Sequence, residues 1–202
     1  MSIEVLVLYY SRHGSVAALA AQVARGVNAV AGAAARLRTV PPVAAQAGEH
    51  LPAVPASGPP YATLRDLEEC AGLLLGSPTR FGGMAAPLRH FLEGTSTQWL
   101  NGSLSGKPAG VFTSGSSLHG GQESTLLSMA LPLLHHGMLL VGVPFTEGAL
   151  STTRSGGGPY GASHVAPEPA LTAPSAEEAR IALHLGRRVA GIAVRLAGMD
   201  LR

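Results

Sequence analysis

Cys70-Ala71-Gly72-Leu73-Leu74-Leu75 runs directly into Gly76-Ser77-Pro78-Thr79-Arg80-Phe81-Gly82-Gly83. The first half is an apolar run of strand length, and the second is a loop of small, turn-forming and polar residues. A buried strand that empties into such a loop at its C-terminal end is how open α/β sheets build ligand sites. The loop carries an aromatic ring, a guanidinium and glycines that let backbone amides approach a ligand. Two further loops of this kind follow the first and fourth expected strands. Three loops then gather on one edge of one sheet.

Working outward, Ile3 to Tyr10 is β-branched, aliphatic and aromatic, and reads as a buried strand. Ser11-Arg12-His13-Gly14-Ser15 is a turn. Ser15 is expected to cap a helix from about Val16 to Val30, with apolar spacing at Leu19, Val23 and Val27. Ala35 to Val40 is a second strand, stopped by Pro41-Pro42. Residues 41–62 are rich in Pro, Ala and Gly and read as a surface excursion. Thr63 caps a short helix to Glu68, and Cys70 to Gly76 is the third strand. Ala85 to Leu92 is a helix that tolerates Pro87 in its first turn. Pro108 to Thr113 is the fourth strand, Gln122 to His135 a helix disturbed by Pro132, and Met138 to Val143 the fifth strand. Residues 144–174 form a long Gly/Pro/Ser-rich loop. Ser175 and Glu178 have capping-box spacing and open a last helix to about Leu196.

Strands alternating with helices give a parallel sheet with helices on both faces. The expectation is a single α/β domain over residues 1–202. Its architecture is a flavodoxin-like, doubly wound, five-stranded parallel sheet of order 2-1-3-4-5, with the ligand beside the first and third strands. A Rossmann half alternates in the same way, but the first loop lacks G-x-G-x-x-G.

The 202 residues are 46% hydrophobic and 13% charged, with a mean hydropathy of +0.25, which implies much buried surface, including subunit interfaces. The longest apolar stretches fall far short of the ~20 residues of a spanning helix. The first ten residues read as a strand rather than a signal peptide, so the expected location is cytoplasmic with no membrane span. Cys70 is the only cysteine and reads as a buried core thiol. Fourteen Lys and Arg against twelve Asp and Glu give a net charge of +2, and they form no basic stripe with interleaved aromatics. Nucleic acid is therefore not an expected partner. His135 and His136 are adjacent on a helix end and point in different directions, which argues against a joint metal site.

The first loop, Ser11 to Val16, lies between a strand and a helix N-terminus. Free amides and the helix dipole favour an anion there, and Ser11, Ser15 and Arg12 add donors and charge. The spacing is not that of a P-loop. In the second loop Thr79 and the backbone suit the edge of a heteroaromatic ring, Arg80 balances negative charge, and Phe81 offers an apolar surface. The third loop, Thr113-Ser114-Gly115-Ser116-Ser117-Leu118-His119-Gly120-Gly121, can wrap a polar rim and sugar alcohols. An anion site, a ring-edge site and a polyhydroxy-wrapping site together suit a mononucleotide with a flat ring, and FMN fits best.

Five stretches carry a resemblance. They are Val5-Leu6-Val7-Leu8-Tyr9-Tyr10-Ser11, Gly76-Ser77-Pro78-Thr79-Arg80-Phe81-Gly82, His119-Gly120-Gly121-Gln122-Glu123, Leu134-His135-His136-Gly137-Met138 and Pro159-Tyr160-Gly161-Ala162. They resemble the signatures of WrbA-type NAD(P)H:quinone oxidoreductases, the tryptophan repressor-binding protein family. The resemblance implies FMN, NADH or NADPH as donor, a quinone as acceptor, ping-pong kinetics, and a homotetramer, a dimer of dimers whose active sites are completed by neighbouring subunits. It implies that Ser11, Arg12, His13, Gly14, Ser15 and Val16 bind the FMN phosphate. Thr79, Arg80 and Phe81, between Pro78 and Gly82, would hold the isoalloxazine. Thr113, Ser114, Gly115, Ser116, Ser117 and His119 would surround the ring edge and ribityl chain. His136 would approach the flavin, and Trp99 and Tyr160 would line the substrate pocket. The flavin would carry the chemistry, supported by Arg80 and His136, with no protein nucleophile and no metal.

Three departures are visible. His13 stands where many members carry Tyr, Gly83 stands where Asn is common, and the third loop is one residue longer, with Leu118-His119. Two other classes stay open: an electron carrier or regulatory flavoprotein without turnover, and a partner-binding protein. Carriers of this fold usually show a strongly acidic face, which twelve Asp and Glu do not supply.

Overall fold

The computed structural model describes residues 2–44, 52–168 and 172–199. Residues 45–51 of the expected excursion and 169–171 of the long loop lie outside the described residues. Six parallel strands form one sheet: β1 Ile3–Tyr9, β2 Ala33–Thr39, β3 Gly72–Pro78, β4 Pro108–Gly115, β5 Leu139–Leu140 and β6 Ala162–Val165. The order β2-β1-β3-β4-β5 is the expected one.

The count of five strands is corrected to six. Only Leu139 and Leu140 of the expected Met138–Val143 strand join the ladder, opposite Pro108 and Ala109. Val141 still donates to Ala109 O at 2.7 Å, but Val143 N turns to Pro159 O at 3.0 Å. The vacated upper edge of β4 is taken by β6, with Phe112 opposite Ala162 and Gly115 opposite Val165. Two short strands thus divide one edge of β4 between them.

Side-chain alternation along the strands sends Val5, Val7, Leu74 and Phe112 to one face and Leu6, Leu8, Leu73 and Leu75 to the other. The first face is covered by α1 (Ser15–Asn28) and α7 (Ala176–Leu196), through Leu19, Val23, Ile181, Leu185 and Val189. The second is covered by α2 (Leu64–Glu69), α3 (Ala86–Glu93) and α5 (Gln122–His135), through Leu67, Leu88, Met129 and Leu133. The short helices α4 (Ser96–Leu100) and α6 (Ala149–Thr152) were not anticipated. α5 runs on past Pro132 to His135, and the disturbance expected there is local: Pro132 has no N–H to give to the Ser128 carbonyl. Cys70 is buried, and burial pushes its thiol up to about 11. Among the described residues, no helix is long and apolar enough to cross a membrane.

Helix starts follow the expected caps with one exception. Thr63 and Ser175 both form capping boxes, with Asp66 and Glu178. Ser15 is not a cap but the first helical residue. The N-cap is Gly14 at φ 95°, and the Ser11 hydroxyl accepts from the amides of Gly14 (3.2 Å) and Ala17 (3.3 Å). A serine before a glycine in the left-handed region thus reaches amides that Ser15, inside the helix, cannot.

Glu178 does more than cap. Its carboxylate accepts from the amides of Ser175 (2.8 Å), Gly156 (2.8 Å) and Val165 (2.9 Å) and pairs with His164 Nδ1 at 2.7 Å. Burial would push this carboxyl up, but His164 and the backbone donors outweigh it and hold it at about 2, against an ordinary 4.5. A depressed acid stabilises the fold above its unfolded pKa, and that contribution is lost as pH falls toward the folded one. Unfolding free energy is therefore expected to drop by about 3 kcal/mol between about pH 4.5 and 2 on account of this group. Urea titrations across that range check it: Glu178→Gln should flatten this part of the profile, and an unchanged slope would refute the assignment.

Candidate functional site

The C-terminal edge of the sheet carries a cleft of about 340 Å³, within the usual range for small-molecule sites. All three sequence loops reach it: His13 and Ser15 from the first, Pro78, Thr79, Arg80 and Phe81 from the second, and Ser114, Gly115, Ser116 and Ser117 from the third. Gly120, Ala166, Pro167 and Glu168 complete the wall. The last three follow β6, inside the segment expected to be a long Gly/Pro/Ser-rich loop.

The second loop is a two-residue hairpin. Arg80 and Gly83 exchange backbone hydrogen bonds (2.8 and 2.9 Å), and Phe81 (φ 49°) and Gly82 (φ 77°) turn between them. Positive φ at both central positions is the type I′ pattern, which glycine accepts freely and phenylalanine does not. The consequence is display: Phe81 is fully exposed and fills no core. Behind the hairpin, Ser77 Oγ accepts from Ala85 N at 2.8 Å, and Thr79 N donates to Ser114 O at 2.8 Å. Thr113 is entirely buried, and its hydroxyl donates to Ser77 O at 2.7 Å. Thr113 therefore supports the second loop from β4 rather than lining the cleft. Arg80 is exposed, with Nη1 donating to Thr79 O at 2.8 Å.

The first loop is similarly divided. Ser11 ties the turn together through its bonds to Gly14 and Ala17, Arg12 is exposed outside the cleft lining, and Val16 is core. A Cβ on Gly14 would lie 3.3 Å from Thr172 Cγ2, so the chain after β6 passes close above this turn. The first-turn amides of Ser15 and Val16 have no intrahelical acceptor and complete the anion-favouring end of α1.

Four expected site residues lie elsewhere. His119 (φ 55°) lines a separate cleft with Leu118, Gln122 and Gly157. His136 and Trp99 share a more apolar cleft with Leu92, Leu131 and His135, bordered by Met84 beyond the hairpin. Tyr160, half exposed, lines neither the first cleft nor this one. The Thr95 hydroxyl donates to Leu92 O at 2.6 Å, so His136 Nε2, 3.0 Å from Thr95 Oγ1, is the donor of that pair. Its Nδ1 is then a lone pair, buried without a partner. Burial, with His135 nearby, lowers the His136 pKa and keeps the ring neutral. Trp99 Nε1 donates to His135 O at 2.8 Å, which leaves the indole face as half-exposed wall.

The first cleft fits a flavin mononucleotide on its own terms. Ser114 lines it, and its Oγ is buried without a hydrogen-bond partner. Side chains are excluded from its rim: a Cβ on Gly120 would lie 2.6 Å from Ser117 Oγ, and one on Gly115 3.1 Å from Gln122 Nε2. Residues 3–147 match the family described as NADPH-dependent FMN reductase. The chain belongs to that family. Among its relatives is the NAD(P)H dehydrogenase (quinone) of Solidesulfovibrio magneticus, 42% identical over 96% of this chain and 98% of that one. The protein of that name in Geobacter sulfurreducens is also 42% identical, over 96% and 100%. Solved structures share the fold. A WrbA-like flavodoxin from Agrobacterium tumefaciens aligns with a TM-score of 0.66 at 23% identity, covering 96% of this chain and 99% of its own. An archaeal flavodoxin aligns with a TM-score of 0.62 at 16% identity, covering 95% and 99%.

Proposed function

We propose that this chain is an FMN-dependent NAD(P)H:quinone oxidoreductase of the cytoplasm that works as a homotetramer. The observation that carries the reading is the convergence of the three loops on one cleft whose floor holds the unpartnered hydroxyl of Ser114. Bound FMN supplies the chemistry, accepting two electrons from NADH or NADPH and delivering them to a quinone, which takes up two protons in all to become the hydroquinone. Ser15 and the open end of α1 hold the phosphate, with His13 beside them. Thr79 and the Pro78–Phe81 backbone hold the ring edge, and Arg80 supplies positive charge to the same cleft. Nicotinamide and quinone occupy one place in turn, which gives ping-pong kinetics.

The assembly is supported by what the chain leaves uncovered. Phe81, Trp99, Leu100, Leu127, Leu131 and Leu134 are large, apolar and exposed around the hairpin and α5. Neighbouring copies would cover them and bring the Trp99 and His136 cleft to the open side of a flavin site. Light scattering on the purified protein is expected to give four times the 20.5 kDa chain mass.

Reconstitution with FMN, followed by NADH and NADPH oxidation with benzoquinone as acceptor, tests the activity. A yellow protein that accepts electrons yet turns over no quinone would make it a carrier, and a protein that retains no FMN would end the reading altogether. Arg80→Ala is expected to weaken FMN binding about tenfold, or 1.4 kcal/mol, with the unfolding midpoint unchanged. Equal affinities in fluorescence titrations would return Arg80 to a solvated surface role.

A further inference from the structure

Among the described residues, four buried side-chain polar atoms lack a hydrogen-bond partner: Gln98 Oε1, His136 Nδ1, Ser114 Oγ and His164 Nε2. The last two are neighbours. Ser114 on β4 and His164 on β6 are register partners in a parallel pair, one interstrand spacing of about 4.8 Å apart. Two residues earlier in the same strands, Phe112 and Ala162 both pack into the core under α1 and α7, so Ser114 and His164 share that face as well. The ring is only 2% exposed and the serine 3%, so neither orphan is left to bulk water. A buried polar group without a partner costs about 1–3 kcal/mol, and two on adjacent residues call for an explanation.

The other ring nitrogen fixes what Nε2 can do. Glu178 is already satisfied by three backbone amides and is held ionised far below neutrality, so it only accepts. His164 Nδ1, 2.7 Å away, is therefore the donor. In the tautomer with its one proton on Nδ1, Nε2 is an acceptor. A serine hydroxyl is re-aimed by rotation about χ1 alone. Immediately beyond this pair, Ala166 N donates to Gly115 O at 2.8 Å, and Ala166 and Glu168 run on into the wall of the cleft.

We propose that Glu178 and His164 are positioning residues for the cofactor: Glu178 locks the ring, Nε2 accepts a hydrogen bond from the Ser114 hydroxyl, and Ser114 meets the ligand as an acceptor for the hydroxyl groups of its sugar-alcohol chain. This rests on the FMN reading above and adds a commitment about which part of the ligand Ser114 serves. Ser114 touches the cofactor, and the other two residues act through it.

The test is a double-mutant cycle on affinity, not on turnover. His164→Asn keeps an N–H where Nδ1 donates to Glu178 and deletes the Nε2 position. Binding of FMN and of riboflavin, which has the same ribityl chain without phosphate, is measured by flavin fluorescence. The four proteins are the wild type, His164→Asn, Ser114→Ala and the double variant. Each single variant is expected to bind both flavins about tenfold more weakly, and the double variant to lose no more than either alone. Should His164→Asn fail to fold, the imidazole ¹⁵N signals of the wild type and Ser114→Ala decide instead. The Nε2 resonance should shift on FMN binding only where the serine is present. Additive losses, unchanged affinities, or a loss confined to FMN would overturn the proposal while leaving the FMN reading intact. A wild-type protein that binds neither flavin would overturn both.

Discussion

Gly186→Ala is expected to lower the unfolding free energy by about 2–3 kcal/mol, although helix propensity alone predicts a gain of about 1 kcal/mol for removing a mid-helix glycine. The reason lies where α1 crosses α7. A Cβ on Gly186 would sit 2.1 Å from Val23 O, and a Cβ on Gly26 2.0 Å from Leu183 O. The obstacle in each case is a carbonyl within a helix, which no rotamer change can move. The two helices would have to separate, and with them the packing of Leu19, Val23, Leu185 and Val189 over the sheet. Gly191→Ala in the same helix is the control, since nothing lies within 4 Å of its added carbon, and it should stabilise by up to about 1 kcal/mol. Urea unfolding of the three proteins separates contact from propensity. A Gly186→Ala protein as stable as the wild type would mean that the helices are less closely packed than described.

Gly121→Val is expected to weaken FMN binding at least 100-fold, or about 2.7 kcal/mol. Gly121 is the N-cap of α5 at φ 90°, and its carbonyl accepts from Thr125 N at 3.0 Å. A Cβ there would lie 3.4 Å from Gly82 Cα, which also has positive φ, and 3.3 Å from Ser124 Oγ. The second and third loops meet at this point, backbone against backbone. A β-branched residue costs about 1–2 kcal/mol in the left-handed region, and relief by moving the backbone draws Ser116 and Ser117 away from Thr79 and Arg80. Gly121→Asn, which tolerates that conformation better, should lose much less. Fluorescence titration with FMN measures all three, and wild-type affinity in the valine protein would show that the junction does not shape the cleft.

The strand order was readable because the buried runs Val5–Leu8, Leu73–Leu75 and Ala109–Phe112 are apolar on both faces, as parallel strands between helix layers must be. The capping boxes were readable because Thr63 with Asp66, and Ser175 with Glu178, act over three residues. What escaped reading depends on distant partners. Ala162–Val165 is too short and too mixed to announce a strand, and it becomes one only because β5 stops early. Gly156, Gly157, Gly158 and Gly161 read only as part of a long Gly/Pro/Ser-rich loop. Two of these sites are tight packing against backbone: a Cβ on Gly156 would meet Ser163 O at 2.2 Å, and one on Gly161 Val111 O at 2.1 Å. His164 carried no local pattern at all, since its partners come from β4 and α7. The three-loop site was legible as a set, whereas the directions of His119 and His136 were not. Spacing along a chain does not fix which side of a hairpin a residue falls on.

The divided edge of β4 also orders events in time. A chain emerging from the ribosome has the five strands of the 2-1-3-4-5 core once Leu140 is clear, yet at that stage the upper edge of β4 is bare and the cleft lacks Ala166, Pro167 and Glu168. α7, which covers the α1 face, comes last of all. Domains generally fold as units during synthesis. Here the Ala166–Glu168 wall of the cleft and the helix that covers the α1 face are both made after β5, so on the FMN reading the cleft is complete only once both have followed it.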